Sequence, residues 1–142
     1  MKHIIVINGP NLNLLGVREP EVYGNETYAD LCGFIEEKAQ SLGVDVSVMQ
    51  FNCEGDIITA LQEATGAGGV VLNAGAYTHY SYAIRDAIAA IKAPVVEVHL
   101  SDIESREEFR KVSVIKPVCA AQISGLGFES YGKAMEFLTE KS

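Results

Sequence analysis

His3-Ile4-Ile5-Val6-Ile7-Asn8 is an apolar run with none of the alternation that marks a strand wetted on one face. Four β-branched residues in succession read as a strand buried on both faces, the condition of a strand inside a parallel sheet. Val70-Val71-Leu72-Asn73 and residues 94–100 have the same character. Val44, Val46 and Val48 alternate as a second strand, and a fifth is expected over residues 118–124. Helical patterns fill the gaps. Thr27, with Asp30 three residues on and Gly43 beyond the end, brackets a helix whose inner face is Leu31, Phe34, Ile35 and Leu42. Ile57, Ile58, Leu61 and Ala64 mark the next, ending at Gly66-Ala67-Gly68-Gly69. Ile84, Ala87, Ile88 and Ile91 follow Ser81 at helical spacing, and Phe128, Tyr131, Met135 and Leu138 mark the last. Strands alternating with helices require crossovers, and crossovers give a parallel sheet covered on both faces. The expectation is a flavodoxin-like, doubly wound α/β fold with five parallel strands in the order 2-1-3-4-5.

The 142 residues suit a single domain over 1–142, burying ~68–70% of its unfolded surface. Hydrophobic residues make up 48% and charged ones 21%, which excludes disorder. With 11 Lys+Arg against 19 Asp+Glu, the net charge of −8 offers no basic footprint for nucleic acid. No apolar run approaches the ~20 residues of a membrane span, and the stretch before Pro10 is too short for a signal peptide. A cytoplasmic location is expected. Cys32, Cys53 and Cys119 have no C-x-x-C spacing and read as reduced, mostly buried small hydrophobes.

In such a sheet, ligands sit beyond the carboxyl ends of the strands, where the strand order reverses. Asn8, Asn11, Asn13, Arg18 and Tyr23 follow the first strand, and Asn73, Tyr77, Thr78 and His79 the third. His99, Ser101, Arg106 and Arg110 follow the fourth, whereas His3 lies at the opposite edge. No G-x-x-x-x-G-K-[ST] or G-x-G-x-x-G supports a nucleotide cradle, and no G-x-S-x-G supports a hydrolase serine. Metal-ligand spacings such as H-E-x-x-H are absent as well. A cofactor-free pocket of Asn, Arg, His and Tyr suits a small, hydroxylated anion and proton-transfer chemistry. A flavin- or nucleotide-binding module is the competing reading, but its first loop would want Ser, Thr and Gly donors.

Three blocks carry a family resemblance. Gly9-Pro-Asn-Leu-Asn-Leu-Leu-Gly16, with Arg18-Glu-Pro20 and Tyr23-Gly24, resembles the opening signature of the type II 3-dehydroquinate dehydratases. Asn73-Ala-Gly-Ala-Tyr-Thr-His79 with Ala83-Ile-Arg-Asp86 is similar to the second block. Val96-Glu-Val-His-Leu-Ser101 with Arg106-Glu-Glu-Phe-Arg110 is similar to the third. The resemblance departs from the usual pattern at Cys53, Ala74, Tyr80 and Tyr82.

The resemblance implies anti elimination of water from 3-dehydroquinate through an enolate, giving 3-dehydroshikimate on the route to chorismate and aromatic amino acids. It implies no metal, no cofactor and no Schiff-base lysine. Tyr23 would be the general base, helped by the cation of Arg18, since a free phenol with pKa ~10 is a poor base at neutral pH. His99 would be the general acid, oriented by Glu97 two residues upstream on the same strand face. Asn11 would hold a water against the enolate oxygen. Asn73 and His79 would bind substrate oxygens, and the amides of Leu100 and Ser101 the carboxylate. Arg110 would contact substrate directly with Arg106 in support, the two sharing a face if residues 104–111 are helical. Glu107 and Lys111 would then pair four residues apart. Asp86 would reach a neighbouring subunit's site in a homododecamer built as a tetramer of trimers. The glycines at 16 and 24 suggest a loop that closes over substrate.

Overall fold

The computed structural model describes residues 2–17 and 25–140. Five strands, β1 (His3–Asn8), β2 (Asp45–Gln50), β3 (Gly69–Asn73), β4 (Val95–His99) and β5 (Ala121–Ser124), form one sheet. Its order is β2-β1-β3-β4-β5 and every pairing is parallel, as the alternating pattern requires. Helices α1 (Tyr28–Leu42) and α4 (Glu129–Glu140) cover one face, and α2 (Glu54–Glu63) and α3 (Tyr82–Ala90) the other.

Each covered face has its own core because successive strand side chains point to opposite sides. Ile4, Val6, Val71 and Val96 pack with Leu31, Ile35, Tyr131 and Leu138. Ile7, Val70, Leu72 and Val95 pack with Ile57, Leu61, Ile84 and Ile88. The signals that start and stop α1 act as read: Thr27 and Asp30 form a reciprocal capping box, and Gly43 closes the helix at φ 70°. No helix among the described residues is long and apolar enough to cross a membrane.

Three sequence expectations are corrected. The fifth strand starts at Ala121 rather than 118, because Pro117 lies in a 3-10 turn, Lys116–Val118, and has no N–H for the ladder. Residues 104–111 are not one helix but parts of two 3-10 turns, Ile103–Ser105 and Glu108–Lys111, separated by extended backbone at Arg106 and Glu107. With three residues per turn, the ion pairs there are Glu107–Arg110 and Glu108–Lys111, not Glu107–Lys111. The cysteines are free but not mostly buried: Cys53 is exposed just before α2, and Cys32 and Cys119 are half-buried. Cys119 nevertheless packs against the core on the face covered by α2 and α3.

Candidate active site

The carboxyl ends of β1, β3 and β4 open into one cleft. In the β1–β3 register Asn8 stands opposite Asn73, so two amides meet at the point where the strand order reverses. Both contact one hydroxyl. Tyr131, reaching up from α4, donates to Asn8 Oδ1 at 2.6 Å and accepts from Asn73 Nδ2 at 3.0 Å. Asn8 Nδ2 continues the chain to the Tyr28 hydroxyl at 3.4 Å. Burial raises the pKa of Tyr131, so its proton stays in place as a fixed donor.

That network shapes the cleft floor. Asn73 Oδ1 accepts from the Gly75 N–H at 3.2 Å and so holds the turn Gly75–His79. Gly75 adopts φ 61° against Pro10, a conformation that glycine reaches without strain. Gly9 is constrained differently: a Cβ there would come within 2.7 Å of the Ala74 backbone, where the first loop crosses the end of β3. We expect Tyr131→Phe to lower stability by roughly 2 kcal/mol or more, since each orphaned buried polar group costs ~1–3 kcal/mol. Urea unfolding at matched protein concentration checks this, with a lower midpoint and an unchanged slope expected.

Asn11 is the one non-glycine residue among those described with positive φ, at 71°. Its own side chain makes no capping hydrogen bond. Instead, Asn52 Oδ1 accepts from the Asn11 N–H at 3.2 Å and from Gln50 Nε2 at 3.0 Å. The Asn11 amide is left at the cleft wall in a strained backbone setting, of the kind that gathers at functional sites.

Both rim histidines are oriented by the protein. His79 Nδ1 donates to the Val112 carbonyl at 2.7 Å, which leaves Nε2 as an acceptor. Burial holds this ring below the ordinary histidine range, and the neighbouring His99 and Arg110 push the same way. The Val112 carbonyl and Glu97 oppose that shift without cancelling it. His79 is therefore neutral at pH 7. His99 Nε2 lies 2.6 Å from Glu97 Oε2, leaving Nδ1 as the free ring nitrogen. Glu97 is fully buried behind it.

Asn11, Asn73, His79, His99, Leu100, Ser101, Arg106 and Arg110 all line the cleft. The N–H groups of Leu100 and Ser101 enter no turn or loop hydrogen bond among the described residues. Arg106 Nη1 donates to Ser101 Oγ at 3.2 Å. The Arg110 guanidinium lies 4.7 Å over the Phe109 ring, and its Nε faces Glu107 at 3.4 Å. Although residues 104–111 are not one helix, both arginines still reach the same wall. Asp86 does not join them: it lies exposed on α3. Arg18 and Tyr23, together with most of the loop expected to close between 16 and 24, lie outside the described residues. Of the departures from the family pattern, Ala74 is buried, whereas Cys53, Tyr80 and Tyr82 are exposed away from the cleft lining.

Sequence reasoning missed the residues behind the wall. Ser113 and Gln122 bond Glu97, Val112 orients His79, Asn52 holds Asn11, and Tyr131 joins Asn8 to Asn73. Only Tyr131 left a signal: it is a polar-tipped residue at an inward helix position, whose hydroxyl needs a buried partner.

A model of the family described as dehydroquinase class II matches residues 2–139. The 3-dehydroquinate dehydratase of Clostridium acetobutylicum is 56% identical over 129 residues, covering 90% of each chain. That of Halalkalibacterium halodurans is 55% identical over 141 residues, 99% of this chain and 97% of the relative. The crystal structure of a type II dehydroquinase from Butyrivibrio crossotus superposes with a TM-score of 0.96 at 50% identity, covering 98% of both chains.

Proposed function

The chain belongs to the class II dehydroquinase family, and on that premise we propose how its residues divide the dehydration of 3-dehydroquinate among themselves. The activity is that of a hydro-lyase in the shikimate pathway, converting 3-dehydroquinate to 3-dehydroshikimate. The residue roles are our reading.

Tyr23 takes the proton beside the ketone, and the electron pair of the broken C–H bond moves into an enolate. Arg18 supports the phenolate, and Asn11 holds a water against the enolate oxygen. As the enolate collapses, the C–O bond to the departing hydroxyl breaks, and His99 delivers a proton from Nδ1 so that water leaves. Anti geometry places base and acid on opposite faces of the ring. His99 then acts as the acid on the face opposite that base. The carrying observation is the 2.6 Å pair of His99 with buried Glu97, which orients a proton donor into a cleft lined by Arg106 and Arg110.

The remaining contacts follow from chemistry. Neutral His79 offers Nε2 to a substrate hydroxyl, and Asn73 keeps one N–H for another. The substrate carboxylate meets the Leu100 and Ser101 amides. Arg110 supplies the direct cation, and Arg106, tied to Ser101, braces that corner. Asp86, exposed on α3, contributes through a neighbouring subunit, which makes the working form an oligomer; a homododecamer of four trimers is our proposed state. The domain over 1–142 then acts as one catalytic unit, in the cytoplasm.

We expect 3-dehydroquinate added to purified protein to produce the ultraviolet absorbance of a conjugated enone. The rise should survive borohydride treated with substrate present, because no imine forms. Loss of activity after borohydride would overturn the mechanism, and no absorbance from assembled protein would overturn the activity.

A further inference from the structure

Glu97 is anchored through a single oxygen. Its Oε2 accepts from His99 Nε2 at 2.6 Å, Ser113 Oγ at 2.8 Å and Gln122 Nε2 at 3.1 Å, while Oε1 has no partner among the described residues. The two neutral donors arrive from different elements. Gln122 stands directly opposite Glu97 in the β4–β5 register. Ser113 lies between two 3-10 turns, where its hydroxyl also accepts from the Lys116 N–H at 3.2 Å. Its neighbours are equally committed: Val112 O receives His79 Nδ1, and the Val114 N–H donates to Thr78 O at 2.9 Å. One three-residue stretch therefore bonds to the elements that carry both histidines. Neither Ser113 nor Gln122 lines the cleft, so neither is placed to touch substrate.

We propose that Ser113 and Gln122 are positioning residues that, through Glu97 Oε2, hold the His99 ring and set how tightly the Glu97–His99 pair keeps its proton. The physical basis is competition for one anionic oxygen. Each neutral donor takes up part of the carboxylate charge, and less remains to hold the imidazolium proton. Removing a donor returns that charge to His99. The pair then releases its proton at higher pH and serves less well as an acid at neutral pH. The other charged and titratable groups facing the pair are His79, Arg106 and Arg110 at the cleft, and Cys119 behind it. Burial pushes the Cys119 thiol up to about 12, with Glu97 adding to the shift, so it stays neutral.

The kinetic consequence rests on the proposed role of His99; the proton-affinity consequence does not. The test pairs two readouts on the assembled enzyme, using Ser113→Ala and Gln122→Leu separately. The first is the titration of the His99 ring by NMR with carbon-labelled histidine, resolvable because the chain has three histidines and His99→Gln identifies the signal. The second is the alkaline limb of kcat. Each variant should move both upward by about one pH unit, the scale of one lost hydrogen bond to a charged group. Ser113→Thr should restore both, and Glu97→Gln should move the ring titration down. An unmoved ring titration in both variants overturns the proposal, even if kcat falls, because loosened packing alone lowers kcat without shifting a titration. A ring titration that moves while the alkaline limb stays put supports the proposal and overturns His99 as the acid.

Discussion

His99→Ala is expected to lower kcat by roughly 100- to 10,000-fold, the range set by removing a positioned general acid. Its signature is which step it slows. In the proposed mechanism Tyr23 takes the proton beside the ketone, so exchange of that proton with solvent should stay near the parental rate while dehydration collapses. Glu97 and His99 share one face of β4, Glu97 is fully buried, and it holds the His99 ring through Nε2. The other rim histidine is committed through Nδ1 to the Val112 carbonyl and held neutral by burial, which makes it a poor substitute acid. Solvent-isotope exchange read alongside product formation checks this. Equal losses in exchange and dehydration would overturn separate acid and base roles.

Tyr23→Phe should be as severe, and it should abolish exchange and dehydration together. Phenylalanine keeps the ring and removes the only atom that accepts a proton, so substrate affinity should change far less than kcat. The accompanying test is Arg18→Ala. A guanidinium near a phenol favours the phenolate, and without it the base forms only as the pH rises toward the ordinary tyrosine range near ~10. The sign follows: Arg18→Ala should be deeply impaired at neutral pH and recover part of its rate at alkaline pH, whereas Tyr23→Phe should recover none. Rate–pH profiles of both variants on one substrate check it. Near-parental turnover in Tyr23→Phe would remove Tyr23 as the base.

The two outcomes interact with the pair behind His99. Raising the pH to regenerate a base in Arg18→Ala also draws the proton from His99, so the recovery should peak and then decline. That peak should move upward when Ser113→Ala is added, because the acid then keeps its proton longer.

The sheet was legible in the chain because its signals are local. Ile4 to Ile7 cannot sit at a wetted surface, and the box of Thr27 with Asp30 starts α1 through bonds three residues apart. Crossover helices then leave little topological freedom, and the order β2-β1-β3-β4-β5 follows. Where local signals conflicted, the reading slipped. Charge spacing over 104–111 looked helical, but extended backbone at Arg106 and Glu107 divides it into two short turns. Pro117 shortens β5 for an equally local reason, its missing N–H.

The rim residues were legible because each lies at a strand's carboxyl end or in the segment that follows it, from Ser101 two residues past β4 to Arg110 further along the same connection. Chain order alone therefore sent Asn11, Asn73, His79, His99, Ser101, Arg106 and Arg110 to one cleft. Which atom of each faces the cleft was decided elsewhere in the fold. Ser113 meets Glu97 across 16 residues, Gln122 across 25, and Tyr131 meets Asn8 across 123. Periodicity and capping act over a single turn of chain and carry no information about such partners. The amino-acid sequence by itself determined a doubly wound sheet and the edge at which chemistry gathers. The orientation of the two imidazoles, the anchoring of Glu97 through one oxygen and the shared tyrosine hydroxyl between two asparagines were decided only by tertiary structure, because buried polar atoms must find partners wherever packing brings them.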